Sequence, residues 1–509
     1  MPQSLQPERL ALIKLLKSID LGSSVAEHDT ILYEARIETQ AFTDLFRDRV
    51  DLICGTKGSG KTALYRLISE FEQSVMLKTR VVILTGVEAS GDPVFLAFRK
   101  QFEELTELEF ENFWRVYFVA LVLERFVKNE QFQDALALCQ AEVSAFKERC
   151  KSAKIPELNK SWSFRDIVQS VLQCVSVSVG NIKHSEQGTP SYSLVSLTPT
   201  KGHSPTEPND GECAPIFLHD IHSALVEMLK ASKLKLWIML DRLDEVFPRR
   251  TKLEQVALRA LLRTTRNFPT ETIRIKLFLR DDIFENVLLG NDGFTALSHI
   301  EARRAPTLSW SPSQIKLMIV KRFAANPRVR TFCQIDKVRV EQNDLEHTKE
   351  IFERIFPPQV IPGKNQSSTI DWIYHHCEDG RGAVTPRDVL DLLQFATKAQ
   401  VEELQSSAAM SQTMISGQAL KVALSELSKK KCRTYLEAEF PRFWPDIKRF
   451  EKAKAEHNAS SLEELLGPRW SDKSEDLVGL GFLQKRPGGT YIVPFVFRAG
   501  MGIRQGKGF

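Results

Sequence analysis

An α/β fold built on a parallel sheet is predicted by three stretches of this 509-residue chain. Gly55-Thr56-Lys57-Gly58-Ser59-Gly60-Lys61-Thr62 matches the phosphate-loop spacing GxxxxGK[ST] at every position. It lies between a short run of β-formers, Val50 to Cys54, and a stretch with apolar residues at helical spacing, Leu64, Leu67, Ile68 and Phe71. Two more apolar runs, Arg80 to Gly86 and Leu236 to Leu240, read as strands, and the second ends in acids at Asp241, Asp244 and Glu245.

Before the loop, Leu10 to Ile19 reads as an amphipathic helix and Thr39 to Arg49 as another. Between them, Gly22 to Asp29 reads as a loop with a helix cap. Pro93 to Cys150 is helical in pattern, and its aromatics (among them Phe95, Phe98, Phe102, Phe110, Trp114 and Phe118) sit at helical spacing, which favours core packing over base stacking. Val175 to Ile182 reads as a strand. Lys183 to Pro215, rich in Ser, Thr, Pro and Gly, reads as a surface loop or insertion. A helix is expected over Ile216 to Ser232, another over Thr251 to Asn267, and strands over Ile273 to Leu279 and Arg304 to Trp310.

A helical section begins at Pro312. Within it Thr385 caps a helix that has Pro386 at its first position and Arg387 in its first turn. Helices over Ile415 to Lys430 and Tyr435 to Phe450 follow. Short helices at Ser461 to Leu466 and Ser474 to Gly479 then precede a hairpin pattern, Phe482 to Arg486 and Thr490 to Val496 around Pro487-Gly488-Gly489, which suggests a winged helix. From Leu483 onward there are basic residues at Lys485, Arg486, Arg498, Arg504 and Lys507 and no acids. That tail reads either as a surface for nucleic-acid phosphates or as a structural or partner surface.

The chemistry expected of these motifs is specific. Glycines in the loop let backbone N–H groups approach a phosphate, and the following helix N-terminus adds a partial positive charge. Lys61 is placed to reach the β- and γ-phosphates, and Thr62 to ligate Mg²⁺. Asp241, at the end of its strand, suits the Mg²⁺ shell, while Asp244 or Glu245 suits positioning of an attacking water. Arg280, at the tip of the next strand, reads as a γ-phosphate sensor or as an ion pair with Asp281 or Asp282. Arg387 reads as a phosphate ligand or as a partner of Asp388 or Asp391. Arg303 and Arg304 read as arginine fingers or as surface residues.

Composition bounds the rest. A formal charge of +4, 42% hydrophobic and 26% charged residues are those of a soluble globular chain of about three domains. The eight cysteines form no CxxC pair and read as reduced thiols of a cytoplasmic protein. The paired His375 and His376 beside Cys377 are too compact for a zinc site. No signal peptide or membrane span is expected.

Taken together, the elements resemble the AAA+/STAND division of P-loop ATPases. More closely, the chain is similar to a bacterial family with a GxSVAExD lead (Gly22 to Asp29), a GxKGSGKTAL phosphate loop (Gly55 to Leu64), a WxxLDRLDE Walker B element (Trp237 to Glu245), an FLRxDIF strand end (Phe278 to Phe284) and a PRDxL lid helix (Pro386 to Leu390). The resemblance implies an ATP-dependent switch, often encoded in anti-phage defence regions, with Arg280 and Arg387 in sensor-like roles. Arg242 and Leu243 separate the acids, a DxxDE arrangement closer to STAND proteins and implying slow hydrolysis.

The expected organisation is a P-loop NTPase core with a parallel sheet, a helical lid and a C-terminal winged-helix-like module. Its boundaries are 1–49 for a helical lead, 50–310 for the core with a helical insertion at 93–175 and a long loop at 183–215, 311–412 for the lid, and 413–509 for the last module. ATP and Mg²⁺ are the expected cofactors, and a protein partner or second copy of the chain the expected company. The alternative is an ATP-regulated DNA-binding protein of initiator or transposition-helper type.

Overall fold

The computed structural model describes residues 7–71, 79–86, 102, 105–129, 132–153, 155, 218–246, 251–288, 294, 297–406 and 413–507. The expected strand at 175–182, the loop at 183–215, and Phe95 and Phe98 lie outside them. The chain divides into two compact units, one of residues 40–55 and 64–307, the other of 1–39, 56–63 and 308–509.

The first unit is organised on four parallel strands, β1 (Leu52–Gly55), β2 (Val81–Thr85), β3 (Lys235–Leu240) and β4 (Ile273–Arg280), in the order β1-β4-β3-β2. Nearly every residue of these strands is buried, as continuous apolar runs in a sheet covered on both faces require. Arg303 extends the sheet past β1, its carbonyl accepting from the Asp51 and Leu52 N–H groups, and the Ala305 N–H donates to Leu52. The strand expected over Arg304 to Trp310 therefore reduces to a single bridge at Arg304. Two residues past the bridge, Pro306 has no N–H with which to continue a ladder.

The helices of this unit start where their caps dictate. Thr106 and Glu109 form a capping box at the head of helix Glu107–Val122, and Thr251 caps helix Lys252–Asn267. The two helices pack through the aromatic stripe: Phe110, Phe113, Trp114, Tyr117 and Phe118 are buried in the apolar core, and the Trp114 indole N–H donates to the Ala257 carbonyl at 3.0 Å. Each such side chain stabilises the fold by about 2–3 kcal/mol, which is why the stripe belongs to the core.

Lys276 is fully buried and has three acceptors: Asp48 at 2.5 Å, Asp51 at 2.6 Å and the Val50 carbonyl at 2.7 Å. Its ammonium also lies 4.4 Å from the centre of the Trp237 ring. Arg303 binds the same two aspartates. Burial by itself would raise the Asp51 carboxyl, but Lys276 and Arg303 outweigh it and hold the acid below its ordinary value.

The second unit is mainly helical. Ser311 and Gln314 form a capping box ahead of helix Pro312–Ala324, whose first position is the proline. Thr385 caps helix Pro386–Ser406 by accepting from the Asp388 N–H at 3.2 Å. The expected helix over Tyr435 to Phe450 is interrupted: a π-helical segment at Cys432–Glu437 gives way before Pro441, which disfavours helical geometry in the residue before it, and a short helix follows at Trp444–Lys448.

At the C-terminal end of this unit, helices Ala459–Leu466 and Trp470–Gly479 precede the antiparallel hairpin of β6 (Gln484–Lys485) and β7 (Tyr491–Ile492). With β5 (Lys454–His457) and β8 (Arg504–Lys507) the hairpin forms a sheet of order β6-β7-β5-β8. Gly488 and Gly489 turn the hairpin with φ of +96° and +78°, a region that favours glycine. The six described cysteines are buried thiols.

Candidate nucleotide site

Parallel sheets bind ligands at the carboxyl ends of their strands, and in the first unit the predicted acids and Arg280 lie on that edge. Gly55, the last residue of β1 and the start of the phosphate motif, is in register with Arg280, the last of β4. On the other side of β4, Leu240 at the end of β3 pairs with Leu277, and Asp241 follows it, only 5% exposed. The strand carrying Arg280 thus runs between the strand of the phosphate motif and the strand of the acids.

Arg242 has φ of +58°, a left-handed conformation that costs a non-glycine residue about 1 kcal/mol. It turns the chain immediately after Asp241. The Glu245 N–H then donates to the Arg242 carbonyl at 3.0 Å, and Asp244 and Glu245 fall in the short helix Leu243–Val246. The intervening Arg242-Leu243 pair therefore forms a tight corner that keeps all three acids beside one strand end.

Arg280 makes two bonds to Asp282, from Nε at 2.9 Å and Nη2 at 3.0 Å, and its Nη1 lies 3.6 Å from Asp244. The ion-pair reading of Arg280 is therefore realised, with Asp244 as an additional partner from the acid-bearing corner. Arg304 pairs with Glu301 at 2.7 Å, and Arg303 is engaged by Asp48 and Asp51 at the start of β1.

In the second unit the phosphate motif continues as a tight loop. Gly58 and Gly60 have φ of +84° and +104°, conformations closed to most side chains. Lys61 folds back so that its ammonium donates to the Thr56 carbonyl at 2.9 Å, and half-buried Thr62 is the second residue of the following helix, Lys61–Arg66. Lys57 pairs with Glu439, and the Trp310 indole N–H donates to the Ser59 carbonyl at 2.8 Å. Tyr374 holds Trp310 in turn, through its carbonyl, at 2.9 Å.

Arg387 lies directly against this loop. A methyl group added at Gly58 would sit 2.9 Å from the Arg387 Cβ and 3.2 Å from the Thr385 hydroxyl. The carboxylates that could have neutralised Arg387 are taken: Asp388 by Lys431 at 2.5 Å and Asp391 by Lys430 at 2.6 Å. Among the described residues the arginine has one hydrogen bond, from Nε to the Ser24 carbonyl at 3.2 Å. The Gly22 to Asp29 lead is thus part of the surroundings of Arg387, which its loop-like sequence does not announce.

Trp310 and Glu439 were outside the expected site. Neither belongs to a motif, and Glu439 is 382 positions from Lys57, so no local pattern could have paired them. Near the C-terminal end of this unit, Lys485 pairs with Glu475 at 2.5 Å, and Arg498 is 7% exposed, its Nε donating to the Val493 carbonyl.

No protein-family model matches the sequence, and no curated protein matches it. Among solved structures, the Orc1 protein of Aeropyrum pernix in complex with DNA is similar at 13% identity and a TM-score of 0.30, covering 98% of this chain and 94% of that one. The Orc2 protein of the same organism, in ADPNP and ADP complexes, is similar at 13% identity and a TM-score of 0.31, covering 99% and 96%. Neither likeness is strong enough to place the chain in a family. No described helix is long and apolar enough to cross a membrane.

Proposed function

We propose that this chain binds ATP with Mg²⁺ and hydrolyses it slowly, as a molecular switch of the AAA+/STAND type. The observation that carries the reading is Arg387, held against Gly58 of the phosphate loop with its neighbouring carboxylates committed to lysines. A half-buried guanidinium without a carboxylate partner is suited to an anionic ligand, and the positive φ of Gly58 and Gly60 gives the loop the tight backbone turns that an anion-binding loop uses.

In this reading the loop from Gly55 to Thr62 cradles the phosphates, Lys61 leaves the Thr56 carbonyl for the β- and γ-phosphates, and Arg387 adds a second cation. Thr62 and Asp241 would hold Mg²⁺, and the near-complete burial of Asp241 at a strand end suits a carboxylate that serves a cation. Bound Mg²⁺ would neutralise charge on the β- and γ-oxygens. Asp244 or Glu245 orients the attacking water, and Arg280, shared between Asp244 and Asp282, reports on the γ-phosphate by exchanging carboxylate for phosphate.

The division into core, lid and C-terminal module follows from the same reading, and a role in anti-phage defence rests on the sequence resemblance alone. The DNA-binding alternative loses two of its cations to other tasks, since Lys485 faces Glu475 and Arg498 is buried. The deciding experiment is calorimetry of Mg-ATP binding to the full chain and to Lys61→Ala. Binding lost in the variant is expected; equal affinity in both would overturn the reading.

A further inference from the structure

We propose that Asp29 is a positioning residue for Arg387, acting through the loop at 22–25; the inference rests on the ATP-binding reading above. Asp29 is 5% exposed and Arg322, on helix Pro312–Ala324, 4%. Their contact is doubled, Nη1 to Oδ1 at 2.7 Å and Nη2 to Oδ2 at 2.6 Å. Replacing a buried ion pair of this kind by apolar residues is often neutral for stability, so stability is a weak reason for its presence. What a bidentate pair fixes well is orientation.

The object oriented is the loop. Asp29 Oδ1 also accepts from the Ser23 N–H at 3.3 Å, and Arg322 Nη1 donates to the Leu21 carbonyl at 3.2 Å, so both members of the pair grip the backbone. Gly22 has φ of +75°, and a methyl there would lie 2.2 Å from Asp29 Oδ1 and 2.4 Å from Arg322 Nη1. The loop is therefore moulded onto the ion pair with no space between them.

Its far side meets helix Pro386–Ser406 at two points. Gln394 donates to the Gly22 carbonyl at 2.8 Å, and Arg387 Nε donates to the Ser24 carbonyl at 3.2 Å. A carbonyl that takes Nε fixes the plane of the guanidinium while leaving the Nη groups to bond elsewhere. Asp29 thus sets the loop, the loop presents the Ser24 carbonyl, and that carbonyl aims Arg387 at the phosphate loop. A Ser24 side-chain change would not break this relay, because the bond is to the main chain.

The test is a double-mutant cycle on Mg-ATP affinity in the full chain, with Arg387→Ala and Asp29→Asn, alongside melting temperatures. Arg387→Ala is expected to weaken binding by about tenfold to a hundredfold, the range for a charge-assisted contact. Asp29→Asn is expected to weaken it by a similar factor, and to have less than about a twofold effect once Arg387 is already Ala. A merely structural role for Asp29 would lower affinity by the same factor in both backgrounds, and that result would overturn the proposal. Should Asp29→Asn fail to fold, the same cycle with Gln394→Leu decides, again by whether its effect disappears in the Arg387→Ala background. A wild-type chain that binds no Mg-ATP would overturn the ATP reading and this inference together, whereas wild-type binding with multiplicative effects overturns this inference only.

Discussion

The Lys431 ammonium donates to Asp388 at 2.5 Å, and in doing so removes from Arg387 the carboxylate nearest to it in sequence. The same Asp388 oxygen accepts the Thr385 hydroxyl at 2.7 Å. Burial pulls the lysine toward its neutral form, but Asp388 and Asp379 outweigh it and hold its pKa above the ordinary lysine value. Lys431→Met should therefore leave a buried, uncompensated carboxylate beside Arg387. We expect a loss of about 3–5 kcal/mol in denaturant unfolding, together with weaker Mg-ATP binding in the molecules that remain folded. Unchanged ATP affinity in a folded Lys431→Met chain would separate this ion pair from the site.

The acid corner after β3 makes a kinetic prediction. Glu245→Gln or Asp244→Asn should leave Mg-ATP binding within about threefold while lowering steady-state phosphate release by a hundredfold or more, an effect on the order of 3 kcal/mol in the barrier. Asp244→Asn should in addition loosen Arg280, which would then rest on Asp282. Sustained phosphate release by both variants would show that neither acid positions the water.

Trp310 offers an optical readout of the loop. Its indole N–H is bonded to the Ser59 carbonyl, so phosphate entering the loop should change its environment. Addition of Mg-ATP is expected to alter tryptophan emission, and Trp310→Phe to abolish that change while costing about 1 kcal/mol of stability for the lost hydrogen bond. A nucleotide-dependent signal that persists in Trp310→Phe would assign it to another tryptophan.

A fourth prediction concerns pH. The His376 ring is stacked between Trp372, with centroids 4.0 Å apart, and Phe495, at 4.3 Å. Burial, helped by the charge of Arg498, lowers its pKa from 6.5 to about 4. In the folded chain the ring stays neutral below pH 6.5, where the unfolded chain takes up a proton. Stability is therefore unaffected by this group above pH 6.5, falls as pH drops from 6.5 toward 4, and levels off below that. The loss is on the order of 3 kcal/mol. His222 and His457 are also lowered by burial, so the comparison needed is wild type against His376→Phe in unfolding at several pH values. Identical pH slopes would exclude His376 as a contributor.

Much of the candidate site was legible because its parts are local. A phosphate loop declares itself through glycine spacing, and the acids through their place at the end of an apolar run. The sheet followed, since buried parallel strands leave continuous apolar stretches such as Val81 to Leu84. What could not be read were contacts between distant side chains of ordinary type. Nothing in Ser24, Trp310 or Glu439 distinguishes them from surface residues until the fold gives them Arg387, Ser59 and Lys57. The strand expected over Arg304 to Trp310 failed for the opposite reason: Thr307 to Trp310 alternates polar and apolar residues as a strand does, but Pro306, without an N–H, outweighs that local pattern.

Lys276 has a practical consequence. A primary amine with three oxygen acceptors and no solvent-exposed surface cannot meet an acylating reagent while the sheet is closed. Its labelling should wait for the strands to separate, so that the rate at which this one lysine is modified becomes a clock for the opening of the sheet, readable by mass spectrometry in the presence of any ligand.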